Sequence, residues 1–132
     1  MTTQISNETQ QELGRQWLEA LAHLIAQVEQ WCHQLGWPTT REQKRISERA
    51  LGDYDAPVLR ARVPGGDLYV TPIAFDVVGA QGRVDMEVWP SLNRVKLLQE
   101  PGGWRIVTDS NVRVRDPWTQ ETFARLVGEL AA

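Results

Sequence analysis

Between Ala56 and Asp109 the sequence breaks at short intervals on turns built from glycine and proline, and this punctuation restricts the fold more than any other feature. The intervening segments, "VLRARV", "LYVTPIAFDVV", "RVDMEVW", "RVKLLQE" and "WRIVTD", are rich in β-branched and aromatic residues. The connections "PGGD", "GAQG", "PSLN" and "PGGW" are short enough only for hairpins. Parallel neighbours need a crossover of a dozen residues or more, so a five-stranded antiparallel meander is expected over 56–109.

Helical periodicity flanks this region. Over 8–36, Trp17, Leu21, Leu24, Val28, Trp31 and Leu35 recur at alternating spacings of four and three. Leu18, Ile25 and Cys32 widen the stripe enough to lie across a sheet. Gly36 and Pro38 end it. Thr40 followed by Gln43 offers a capping box for a second, mostly polar helix over 40–51. A last helix over 119–131 presents Phe123, Leu126, Val127 and Leu130, with Trp118 and Phe123 spaced as a hydrophobic staple. Together these predict one α+β domain, residues 1–132. It has two N-terminal helices, one of them long, a five-stranded meander and a C-terminal helix, with the helices on one sheet face.

A chain of 132 residues is long enough to bury about two-thirds of its unfolded surface without a disulfide or a metal. The formal net charge of −3 argues against nonspecific nucleic-acid binding, which needs concentrated Lys and Arg. A single cysteine, Cys32, excludes an internal disulfide and a thiolate metal cluster. No apolar run reaches membrane-spanning length and the N-terminus lacks a signal-peptide pattern, so a cytoplasmic protein is expected. Six tryptophans are many for this length; most are expected in the core, with the remainder available as interface anchors.

Closing "GAQG" symmetrically sets Val77 against Val84, Phe75 against Met86 and Ile73 against Val88, all apolar pairs. It also sets Asp76 against Asp85, where like charges destabilise a sheet. Water, Arg83, a raised pKa or a metal must then relieve the pair. Closing "PSLN" the same way gives Glu87 opposite Lys96 and Trp89 opposite Arg94, an ordinary salt-laced surface. The first hairpin conflicts in phase with the second, which implies a bulge near Thr71–Pro72.

Asp76 followed by Asp85-Met86-Glu87 resembles the PD-(D/E)XK nuclease signature. The resemblance implies a divalent ion held by Asp76, Asp85 and Glu87 for phosphodiester hydrolysis. Glu87 stands where that family carries lysine, and "RVKLLQE" reads as a strand where its core has a helix. Other chemistry has less support. His23 and His33 point in different directions on the first helix, Cys32 belongs to the buried stripe, and no serine sits in a nucleophile elbow. No cofactor is expected.

The leading expectation is therefore a small non-enzymatic interaction module of adaptor, immunity or antitoxin, or chaperone type, binding a protein partner or a second copy. A metal-dependent phosphodiesterase is the alternative. Interface candidates are Trp89, Arg94, Leu98 and Val107 on the charged sheet face, and Trp37 at an interhelical turn. Arg41, Arg45 and Arg49, spaced by four, are candidates for contact with an anion or an acidic partner, although a solvated helix face is the plainer reading. A small-ligand site between the long helix and the sheet would require a cavity lined by Trp17, Trp31 or Trp104.

Overall fold

The computed structural model describes residues 2–77 and 80–132, with side chains from Thr9 onward. It is an α+β fold with a long N-terminal helix, an antiparallel sheet and a C-terminal helix. Helix α1 spans Thr2–Gln34 and α2 spans Gln120–Ala131. Between them lie β1 (Thr39–Glu48), β2 (Gly52–Val63), β3 (Gly66–Ala74), β4 (Arg83–Trp89), β5 (Asn93–Glu100), β6 (Gly103–Thr108) and β7 (Arg113–Val114). The seven strands pair antiparallel in chain order.

One core cluster joins α1, α2 and a single sheet face. Trp17, Leu21, Leu24, Ile25, Val28 and Cys32 of α1 are all fully buried. Leu18, counted in the expected stripe, is instead exposed. The helix ends as its sequence predicts. Gly36 adopts φ +79, Trp37 N–H donates to Cys32 O (2.8 Å) and Gly36 N–H donates to His33 O (3.1 Å), the two bonds of a Schellman motif. Helix α2 is capped by Thr119, whose hydroxyl accepts from Thr122 N–H, and the staple forms, with the Trp118 and Phe123 rings 6.0 Å apart. Trp31 lies 5.2 Å from Trp118 and 5.6 Å from Phe123, and Trp37 lies 5.9 Å from Phe123. This aromatic cluster joins the end of α1 to the start of α2.

Three expectations are corrected. The segment 40–51 is not a helix: Thr39–Glu48 is a strand, joined to β2 by a turn at 49–51. A spacing of four satisfies a period of 2 as well as one of 3.6, so the arginine repeat did not discriminate. As a helix the segment had only Ile46, Ala50 and Leu51 to bury, whereas as a strand it pairs all its positions, Thr39↔Ala61 through Glu48↔Gly52. The irregular stretch after Asp109 contributes β7, pairing Ile106↔Val114 and Val107↔Arg113. The sheet thus has seven strands, not five, and only one helix precedes it.

The third correction concerns register. β3 pairs with β4 through Leu68↔Val88, Val70↔Met86 and Pro72↔Val84, and Thr71 stands opposite Asp85. The expected bulge is present, between Pro72 and Ala74. Beyond it, Phe75 enters the core and Val77 bridges Ala80, so Asp76 belongs to a connecting loop and does not face Asp85. Gly79 of the expected "GAQG" turn lies outside the described residues. Both registers unite apolar residues, because residues 68–77 carry two successive sets of opposite parity, Leu68-Val70-Pro72 within β3 and Ile73-Phe75-Val77 running past its end. The β4–β5 hairpin keeps the expected faces with shifted partners, Glu87 opposing Arg94 and Lys96 opposing Asp85, and in the β5–β6 hairpin Leu97 opposes Ile106.

Along β2 the core-facing parity changes, from Leu59, Ala61 and Val63 at one end to Ala56 at the other. Pairing of β2 with β3 ends at Leu59↔Val70, and continuing that register would set Pro57 opposite Pro72, neither with a ladder donor. The free two-stranded ribbon then twists strongly. Arg60 is exposed on the outer side, yet Ala56 and Ile46 are core and Tyr54 packs against it. There Tyr54 ties the layers together. Its hydroxyl accepts from Trp17 Nε1–H (3.1 Å) and donates to Glu48 Oε2, which also accepts from Phe75 N–H (3.0 Å). Asp76 N–H donates to Glu48 Oε1 (3.0 Å).

Candidate interaction surface

Strand parity sends Leu68, Val70, Met86, Val95, Leu97 and Ile106 inward, and directs the alternate residues to the opposite sheet face. One row there reads Thr71, Asp85, Lys96, Val107, Arg113, and the next Arg60, Tyr69, Glu87, Arg94. Both helices pack into the core on the other side, so no helix covers these rows. Val58 and Val107 are buried without belonging to the core cluster, beneath the long polar side chains of this outer face.

Charge on this face is internally paired. Asp85, only 6% exposed, accepts from Arg83 Nε and Nη2 at 2.8 and 3.0 Å, with Arg94 Nη1 at 3.6 Å. Arg94 continues to Asp109 (3.1 Å), and these two carboxylates hold its guanidinium pKa above the usual arginine value, Asp109 more strongly. Arg83 therefore pairs with Asp85, although the Asp76–Asp85 juxtaposition that called for a cation does not form. A metal ion would first have to displace two guanidiniums. Asp76 lies on the loop after β3, Glu87 bonds to Trp89, and among the described residues no three His, Cys, Asp or Glu side chains are grouped to hold a metal ion.

The feature that departs from this pairing is at the end of β4. Trp89 is 50% exposed, and its Nε1–H donates to Glu87 Oε1 (2.7 Å). Its ring meets Tyr69 edge-on at 6.3 Å, and the Arg60 guanidinium lies 5.6 Å from the Tyr69 centroid. Leu92, 53% exposed with φ +66, stands in the turn directly after it. That turn is held from below: Ser91 Oγ and Asn93 Nδ2 both donate to Leu130 O, at 2.5 and 3.0 Å, and so cap the C-terminus of α2. The exposed tryptophan is thus carried on a rigid support.

Of the expected interface residues, Trp89, Arg94, half-buried Leu98 and Val107 lie on this outer face, whereas Trp37 is packed against Phe123 at the core margin. Trp89 opposes Asp67, not Arg94. Tyr69 and Arg60 were missed, because only the true β3–β4 register brings them beside Trp89. Arg41 and Arg45 lie on β1 and Arg49 in the following turn. Arg41 chelates Glu29 of α1 (3.0 and 2.9 Å), which lowers the Glu29 pKa, and Arg45 pairs with Asp55 (3.3 Å).

Trp17 is fully buried in packed core, and the concavities near the tryptophans are open grooves. One such groove measures about 460 Å³ and runs between α1 and the β5–β6 turn, lined by His23, Gln27, Glu100, Trp104 and Trp118. Compared with known proteins, the chain matches no family model, no curated protein and no solved structure.

Proposed function

We propose that the chain is a non-enzymatic protein-interaction module, of the adaptor, immunity or antitoxin, or chaperone kind, that docks a protein partner on the uncovered sheet face. One observation carries this reading: Trp89 is half exposed on a rigid turn, with Leu92 beside it in that turn, Tyr69 against its ring and Arg60 over Tyr69. Tryptophan, tyrosine and arginine dominate interface hot spots, and a preformed anchor spares ordering entropy on binding. The paired charges around it make a polar rim that selects a complementary surface. The reading is of a cytoplasmic protein, supported by the buried free thiol of Cys32 and by the lack of any helix long and apolar enough to cross a membrane among the described residues.

A photo-crosslinking amino acid at position 92 or 94, with position 30 on exposed α1 as control, tests the reading in the source cell. One species is expected from 92 and 94, absent from 30, and bound at least roughly tenfold more weakly after Trp89→Ala. Equal capture from position 30, or unchanged binding by Trp89→Ala, would overturn the reading. Sedimentation of the pure protein separates a second copy from a different partner.

A further inference from the structure

The sheet has two unequal edges. β7 is two residues long and offers almost no backbone, whereas β1 runs for ten residues with no strand beyond it among the described residues. Which of its backbone groups are open follows from one bond. Arg62 N–H donates to Pro38 O (3.0 Å), one step before the Thr39↔Ala61 pair. Antiparallel hydrogen-bonded pairs recur at every second residue, so Thr40, Glu42, Lys44 and Ile46 exchange bonds with β2. Thr39, Arg41, Gln43, Arg45 and Ser47 therefore turn their N–H and C=O groups to the open edge.

The side chains on those same five residues include two arginines, a glutamine and two hydroxyls, and no acid. The acids of β1 fall on the alternate positions, and Glu48 is already engaged with Tyr54 and the Phe75 and Asp76 amides. Edge charges repel strands that cannot answer them. Two copies paired antiparallel about Gln43 would set Arg41 against Arg45 twice, a like-charge arrangement that weakens a ladder.

From this geometry we infer that the β1 edge accepts an extended acidic peptide by strand addition, with carboxylates four residues apart facing Arg41 and Arg45. Main-chain bonds along Thr39–Ser47 supply affinity, and the two arginines supply selectivity. The carboxylates would compete with Asp55 for the exposed, singly bonded Arg45 and with Glu29 for the half-exposed Arg41, which Glu29 holds through two bonds. This site is separate from the Trp89 surface, so failure of either leaves the other standing.

The test is a fluorescent ten-residue peptide of alternating Thr and Val with Glu at two positions four apart, titrated with the full chain and read by anisotropy. Saturable binding is expected, at least roughly tenfold weaker for the Lys counterpart and for a peptide N-methylated at alternate residues. Gln43→Pro should abolish binding while leaving the circular dichroism unchanged, because the N–H it removes is not used by the fold. Arg45→Glu should shift preference toward the Lys peptide. Should Gln43→Pro unfold, the N-methylated peptide decides alone. Absence of saturable binding, or affinity indifferent to N-methylation, overturns the inference. So does concentration-dependent self-association removed by Gln43→Pro, since a second copy would then occupy the edge.

Discussion

Replacing Tyr54 with phenylalanine removes one oxygen at the point where α1, the twisted ribbon and the loop after β3 meet. Trp17 is fully buried, so its Nε1–H, which donates to that oxygen, is left without an acceptor. An orphaned buried donor costs about 1–3 kcal/mol, and a hydrogen bond to a carboxylate contributes about as much. Glu48 keeps the Phe75 and Asp76 amides, which limits the second loss. The expected destabilisation at neutral pH is about 2 kcal/mol. For 132 residues that is a fall of about 7 °C in Tm. The same group predicts a pH signature. Burial, then donation to Glu48, pushes the Tyr54 pKa from 10.0 up to about 12. Between those values the unfolded chain has lost a proton that the folded protein retains, so stability falls as pH rises through that window and is fully present below it. Cys32, raised by burial from 9.0 to about 12, adds a fall in both proteins and cancels in their difference. Urea denaturation from pH 7 to 12 on parent and Tyr54→Phe checks both parts. A loss under about 0.5 kcal/mol at pH 7, or parallel pH profiles, would refute the three-layer clamp.

Other substitutions test separate contacts. A Cβ at Gly82 would lie 2.2 Å from the Trp17 ring at a residue with φ +148, so Gly82→Ala should cost about 3 kcal/mol in denaturant unfolding. Thr119→Ala removes the cap of α2 and should cost about 1 kcal/mol by thermal melting followed at 222 nm. Asp85→Asn leaves the Arg83 guanidinium without its charge partner, while Arg94 keeps Asp109, and should cost about 2 kcal/mol, against under about 0.5 kcal/mol for Asp76→Asn. Equal losses in those last two would mean that the carboxylates act as a pair.

What could be read in the sequence was set by how many structures a local pattern satisfies. The buried stripe of α1 from Trp17 to Cys32 admits only a helix, and Gly36 admits only its end, so both were legible. Trp118 and Phe123 were legible as a staple for the same reason. The "TTREQKRISE" segment was not, since arginines four apart fit a helix and a strand equally and its deciding partner, β2, lies beyond a turn. Register failed where β3 offered two apolar sets to one partner: the choice between them depends on Phe75 leaving the strand for the core, a tertiary contact. The candidate surface inherited that error. Trp89 was placed correctly on the outer face, but its neighbours Tyr69 and Arg60 depend on the register and were invisible without it.

The aromatic cluster that joins α1 to α2 also sets an order of closure during synthesis. Trp31 and Trp37 leave the ribosome well before Trp118 and Phe123, which pack against them. At ordinary synthesis speeds the roughly ninety residues between Trp31 and Phe123 take about 5–20 s to appear. Until α2 emerges, the aromatic side chains at the end of α1 lack these partners, and this corner of the core stays open.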